Sequence, residues 1–463
     1  MRNLGVVITD GVGYRNFILS DFITEAQKQF DNVIVFSCLP KEVYANFNLK
    51  CTIIELDVFQ ENFKTWFFRK AKELGHLQLH KNGNFGIIDN LNTNNSKTKT
   101  PRGYATRLLI KWSDWFHSEK WILRYNKWQQ QTFKSHPITL CYKKLLREYD
   151  IDILFFTHQR PPYIAPLIYA AEQLNVKTTA FIFSWDNLAS KGRMAGNFDY
   201  YLVWSDFMKQ ELLHFYQSVK QDKVDVVGTP QFEPYILDRY YLSKADFFQK
   251  FKLDLGKKTI LFTCNDASSE NDPFYLELLA SFVVNKKLSK NVNIIVRTSP
   301  AEEPTRFQHI VSKYPFIIWN FPDWKLSRSN HQESWSQRIP SMEDVVNLRA
   351  MLAYSDLCIN VLSTITLDSF LFDVPVINPV FGNEENGMFD DQKFLKYAHL
   401  DYVVKSGAIN LAKNELEYLS AIEYCLTNPD QKIAEQKELI KLQIGKPLLN
   451  TSKRIAMTLK NWC

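Results

Sequence analysis

Apolar residues gather in runs of strand length through both halves of the chain. The first half holds LGVVIT from Leu4, NVIVFSCL from Asn32, IDILFFTH from Ile151, TTAFIFS from Thr178 and DYYLVWS from Asp199. KTILFTCN from Lys258, NIIVRTSP from Asn293, FIIWNF from Phe316, LCINVLS from Leu357 and PVINPVF from Pro375 follow in the second. Each run is continuous rather than alternating, which is the pattern of a strand covered on both faces. Stretches of helical length separate several of them, such as Ala165 to Leu174. A turn-rich segment, VDVVGTPQFEPYI with Gly228, Pro230 and Pro234, divides the two series. The pattern predicts two doubly wound α/β units in succession, whose ligands bind beyond the carboxyl ends of the strands.

Length agrees with that division, because 463 residues exceed what one hydrophobic core serves. The first unit is expected over 1–232 and the second over 233–444, with 445–463 forming a terminal helix. Two segments of the first half fall outside the strand pattern. Residues 75–101, rich in Asn and Lys, read as a mobile polar insert. Residues 107–134 read as helical, with Trp112, Trp115, Trp121 and Trp128 interleaved among Arg107, Lys111, Lys120, Arg124 and Lys127. That composition suits either a helix packed on the unit with its lysines in water or peripheral contact with a membrane surface.

The net charge of +6 is mild for this length and fits an anionic substrate or membrane better than nucleic acid. Seven cysteines include no C-x-x-C pair, which indicates reduced thiols and no metal knuckle. No apolar run approaches the roughly 20 residues needed to span a bilayer. A cytoplasmic protein is expected, with the inner face of the cytoplasmic membrane as its one membrane setting.

Candidate chemistry sits after the strands. ITDGVGYRNF, from Ile8 to Phe17, has two glycines of a dinucleotide fingerprint. Asn16 stands where the third belongs, and the next strand ends Phe36-Ser37-Cys38-Leu39 without an acid, so a dinucleotide site is not expected. Gly11 and Gly13 instead allow a tight turn, and Asp10 is either a general base or the cap of the following helix. Elsewhere in the first half, His158 and Arg160 follow one strand, and Trp185, Asp186, Asn187 and Lys191 follow the next. These types suit an acceptor or phosphate site, and equally the hydrogen bonds that fix a loop.

In the second half Arg297, Thr298 and Ser299 end a strand where a guanidinium and hydroxyls can meet phosphate oxygens. Ser363 and Thr364 open a helix expected over 365–372, whose free amides favour an anion, although simple capping explains them too. Asp368 lies a turn further on, placed for a sugar hydroxyl. Glu343 reads as a ligand or as an acid at a helix start, and His399 as a cleft residue or a structural histidine. No metal cluster is visible.

In order, FSWDNLASKGRM, DYYLVWSDFMKQEL with VDVVGTPQFEPY, IIVRTSPAE, and SDLCINVLSTITLDSFLFDVPVI resemble glycosyltransferases of the GT-B fold. The resemblance is in particular to bacterial surface-polysaccharide enzymes related to the CDP-glycerol glycerophosphotransferases. It implies two Rossmann-like α/β/α domains facing each other across a cleft, with NTSKRIAMTL in a terminal helix crossing back to the first. It further implies a nucleotide-sugar donor (UDP-, GDP- or CDP-linked) on the second domain, its diphosphate at Ser363 and Thr364 with Arg297 and Asp368 nearby. A glycan or lipid-linked acceptor would lie on the first domain, with Asp10 as base of an inverting transfer and no metal or other cofactor. Ser299-Pro300 departs from the His-Pro of the glycerophosphotransferase group. Two alternatives stand beside this one: a CDP-alditol-dependent glycerol- or ribitol-phosphate transferase, and a non-catalytic nucleotide-sugar-binding protein.

Overall fold

A computed structural model describes residues 2–45, 47, 49–266, 269–329, 331, 333–382 and 388–463. The chain forms two compact units: Met1–Glu233 with Leu326–Ile339 and Gln443–Cys463, and Pro234–Lys325 with Pro340–Leu442.

The first unit is built on strands β1 (Asn3–Ile8), β2 (Asn32–Ser37), β3 (Thr52–Glu55), β4 (Ile153–Phe156), β5 (Lys177–Phe181), β6 (Tyr200–Val203) and β7 (Val224–Val226). They lie in the order β3-β2-β1-β4-β5-β6-β7, all pairings parallel. Every residue of β1 and β4 is buried, as their unbroken apolar sequences require. Phe17 and Phe22 pack edge-on or tilted against Phe155 and Phe181, with centroids 5.2–5.3 Å apart. Burying each ring contributes on the order of 1.5–3 kcal/mol. Chain order reverses between β1 and β4, so this unit's switch point lies at the ends of those two strands.

The second unit has β8 (Lys258–Thr263), β9 (Val292–Arg297), β10 (Ile318–Asn320), β13 (Leu357–Ile359), β14 (Val376–Pro379) and β15 (Asn410–Ala412) in the order β10-β9-β8-β13-β14-β15. These pairings are parallel as well. Ile260, Phe262, Val296, Leu357, Ile359 and Ile377 form the centre of its core. Here the order reverses between β8 and β13.

Two expectations need correction, and a third, the helical tryptophan segment, gains detail. The polar 75–101 segment is largely helical: the helix Phe63–His80 enters it, and the helix Phe85–Thr93 follows. Asn84 accepts from the Ile87 amide as N-cap, while its amide and that of Asn90 donate to the carbonyls of Ala189 and Ser190. Asparagines that read as disorder thus serve as caps and tethers. The tryptophan segment divides into the helices Pro101–Trp115 and Glu119–Gln131. Trp112 donates to Tyr125 Oη, whereas Trp115 is 82% exposed. Finally, Leu326–Ile339 was assigned by sequence to the second unit and belongs to the first. It is carried on the ribbon β11 (Trp324–Leu326) and β12 (Arg338–Pro340), and Arg328 pairs with Glu55 while His331 lies edge-on to Tyr163.

The end of the chain rejoins the first unit at Gly445, which has φ +75 and where a Cβ would stand 2.6 Å from Ser205. The helix Thr451–Trp462 follows, its Trp462 stacked on Tyr200 at 4.6 Å.

Candidate active site

The switch point of the first unit brings together two residues 148 positions apart. Asp10 follows β1 and His158 follows β4, and His158 Nδ1 lies 2.8 Å from Asp10 Oδ2. Asp10 is fully buried and accepts two further bonds, from the Gly13 amide to Oδ1 and from Thr9 Oγ1 to Oδ2, each 2.8 Å. Of the alternatives left open by sequence the geometry gives the cap: Asp10 caps the helix Gly11–Phe17, and it also holds a histidine. Both of its oxygens are thus engaged within the first unit.

Burial, the largest influence on Asp10, pushes its carboxyl up, but the bond and charge of His158, the Gly13 amide and the Thr9 hydroxyl outweigh it. The net position is below the ordinary carboxylate value. Burial pulls His158 below 6.5 against the opposing bond to Asp10. An ionised carboxylate only accepts, so Nδ1 carries the proton and Nε2 keeps its lone pair. Nε2 is buried and has no hydrogen-bond partner among the described residues. Phe183 stacks on the imidazole at 3.8 Å and holds the ring in plane with that orientation.

His158 lines a cavity of about 280 Å³ within the first unit. Arg160, Arg69, Glu73, Asn90, Glu333 and Trp335 are among its other walls. Arg160 precedes Pro161 and Pro162, which restrict it to an extended backbone. Gln159 fixes the same loop by accepting from the Phe183 amide and donating to Asn187 Oδ1, both at 3.1 Å. Arg69 is committed to Glu61 at 2.8 Å and Glu73 at 2.6 Å. Burial would raise the Glu73 carboxyl, but Arg69, Lys70 and Arg160 bring it down to about 2. The Glu333 carboxyl is held above its usual range by burial and by Asp10, with Arg69 and Arg160 opposing.

Sequence reasoning missed Arg69, Glu73, Glu333 and Trp335. Arg69 and Glu73 left a trace, charges one turn apart on a helix whose neighbouring positions Trp66, Ala71 and Leu74 are buried. Glu333 left none, since its unit was misassigned. Lys72 was missed as well: it is buried, donates to Asn126 Oδ1 at 3.0 Å and to the Ala195 carbonyl at 2.7 Å, and burial brings its ammonium down to about 7.

Other predicted residues of the first unit serve structure. A Cβ on Gly11 would stand 1.6 Å from the Arg338 carbonyl oxygen, and one on Gly13 would stand 2.7 Å from Thr157 Oγ1. Close approach, rather than a ligand-facing turn, requires both. Trp185 and Asn187 are buried, and Asp186 lies 3.6 Å from the half-exposed Lys191. Glu211, absent from the sequence reading, is raised to about 8 by burial and by Asp186.

In the second unit Arg297 is buried and bonded to Asp344 at 2.7 and 3.0 Å and to Asn320 at 2.5 Å. The expected phosphate ligand is thus the inner half of a bidentate ion pair. Thr298 is buried, and Ser299 Oγ accepts from the Ala301 amide. Asp368 is buried and receives the Tyr235 hydroxyl. Glu343 points outward, paired with Lys250 at 2.8 Å in the first turn of the helix Met342–Tyr354, where an acid suits the helix dipole. His399 sits in the helix Ala398–Lys405 with its ring edge-on to Tyr397. Ser363 and Thr364 remain partly exposed after β13, ahead of the helix Ile365–Phe370. The Ser363 amide donates to Asn360 Oδ1, so one of the amides expected to hold an anion is already used. Among the described residues no group of three or more His, Cys, Asp or Glu is placed to hold a metal ion, and no helix is long and apolar enough to cross a membrane.

No family model matches the sequence, and no curated protein matches it. Solved structures do. The UDP-GlcNAc 2-epimerase of Neisseria meningitidis bound to UDP-GlcNAc is 13% identical with a TM-score of 0.54, covering 100% of both chains. The S. aureus MnaA–UDP structure is 11% identical with a TM-score of 0.54, covering 100% of this chain and 97% of that one. A glycosyltransferase from Rickettsia africae is 13% identical with a TM-score of 0.51, covering 100% and 98%. At such identities the likeness is one of fold. With two doubly wound parallel sheets, it gives the chain the GT-B fold of two Rossmann-like α/β units.

Proposed function

We propose that this chain is an enzyme acting on nucleotide-linked sugars, and that it transfers the sugar to a hydroxyl of a cell-surface glycan or lipid-linked acceptor. The observation that carries the reading is the Asp10–His158 dyad at a switch point, with His158 Nε2 unpaired and the imidazole lining a cavity. A neutral imidazole oriented by a carboxylate is the arrangement of a general base.

In the proposed reaction Nε2 takes the proton of the acceptor hydroxyl as its oxygen bonds to the anomeric carbon. The nucleotide diphosphate leaves with the electron pair of the broken bond, and the anomeric centre inverts. Asp10 stabilises the imidazolium without taking the proton. The second unit holds the donor, with Ser363 and Thr364 at its own β8/β13 switch point as the diphosphate contacts. The structures of similar fold that hold UDP-GlcNAc and UDP make uridine diphosphate the first nucleotide to try.

His158→Ala should lower transfer by roughly 10²–10⁴-fold, and Asp10→Asn by a comparable factor, since an amide can donate to Nδ1 and reverse the tautomer. Thermal stabilisation by the cognate nucleotide should persist in both variants. Undiminished transfer by His158→Ala overturns the role of the dyad. Running the same donors without an acceptor separates epimerisation, which alters the sugar unaided, from transfer. A CDP-alditol in the donor panel addresses the polyol-phosphate alternative, and nucleotide binding without turnover addresses the non-catalytic one.

A further inference from the structure

The cavity beside His158 carries a second unmet group. Arg160 Nε is buried and has no hydrogen-bond partner among the described residues. This differs from its neighbour Arg69, whose guanidinium is held by two carboxylates at 2.6 and 2.8 Å. The two arginines line one cavity. A guanidinium whose Nε–H is withdrawn from water without a partner costs free energy that a bound acceptor group recovers. Its planar fork matches a carboxylate or a phosphate.

We infer that the cavity binds an acceptor bearing an oxyanion, which Arg160 holds while a hydroxyl of the same molecule faces His158 Nε2. The inference rests on His158 as the acceptor-side base and adds the chemical class of the acceptor. A cavity of about 280 Å³ is near the lower end of small-ligand sites, so it takes one acidic sugar residue or sugar phosphate at a time. Glu333 borders the same space, with its carboxyl biased toward the protonated form by burial and by Asp10. A hydroxyl-rich anion suits that wall better than a small inorganic one, because its hydroxyls can pair with a carboxyl.

The test is equilibrium binding without donor, so it does not depend on catalysis. Thermal shift and calorimetry on the full chain would compare D-glucuronate and D-glucose 6-phosphate with D-glucose. The wild type should bind at least one of the two anions roughly tenfold or more tightly than glucose, and the better one tells a carboxylate site from a phosphate site. Arg160→Gln should remove that preference and leave glucose binding within about twofold, while Arg160→Lys should retain part of it. Arg160 is only half-buried, so both variants should keep the wild-type melting profile without ligand. Equal affinity for glucose and the anions in the wild type overturns the inference, as does an undiminished preference in Arg160→Gln. If anion binding behaves as expected but His158→Ala transfers normally, the acceptor class stands and the proposed base is wrong.

Discussion

The two units turn at equivalent places, β1/β4 in the first and β8/β13 in the second, and their loops treat polar groups in opposite ways. In the second unit predicted ligands are satisfied by neighbours that the sequence did not single out. Asp344 accepts from Arg297, the Trp324 indole and the Asp323 amide. Asn360 Oδ1 accepts from the Ser363 amide, Thr366 Oγ1 and Asn378 Nδ2. In the first unit the His158 ring is fixed on one side by Asp10, while its other nitrogen and the Nε of Arg160 have no partner among the described residues. An unmet buried polar group costs about 1–3 kcal/mol, so its persistence marks a place where something else supplies the partner. Unmet atoms also occur in the second unit, among them Asn378 Oδ1, Asp391 Oδ1 and Thr263 Oγ1.

The comparison predicts different responses to removing a charge. Arg297→Ala strands the Asp344 carboxylate in the core of the second unit and should cost about 3–5 kcal/mol in chemical denaturation. If stability is unchanged and only nucleotide affinity falls, Arg297 is a ligand and the contrast between the units fails.

Acid should act next, chiefly through the first unit. Folding depresses the pKa values of His76 and His158 by burial, and that of His80 to about 4 for the same reason. Below 6.5 these histidines bind more protons in the unfolded chain and their contribution to stability falls as pH falls, while Glu211, raised to about 8, and Asp272, raised to about 7, act in the opposite sense. Glu73, depressed from 4.5 to about 2, adds stability above pH 4.5 that is lost between those values. Lys72 works in the alkaline range: with a folded value of about 7 against 10.5 unfolded, it makes stability rise from pH 7 toward 10.5. NMR titrations that return His76 and His158 to about 6.5 would show that these groups do not retain their burial in solution.

The smallest effect belongs to Glu343. Its side chain is 69% exposed, so Glu343→Ala should change stability by no more than about 0.5–1 kcal/mol and leave nucleotide binding untouched. A large loss of nucleotide affinity would return Glu343 to the donor site.

The two-unit α/β organisation was legible in the order of residues, because strands buried on both faces leave continuous apolar runs such as LGVVI and ILFF that no packing detail can disguise. It also pointed to the loops after those strands, and Asp10, His158 and Arg160 were visible there. Which atoms of these residues remain available became clear from the fold. Parallel pairing of β1 with β4 set Asp10 against His158 across 148 positions and left Nδ1 held by the carboxylate. The folding of Leu326–Ile339 into the first unit then brought Glu333 to the same cavity. Hydrophobic periodicity is local and survives in the order of residues, whereas hydrogen-bond satisfaction depends on partners that meet only when the sheet forms.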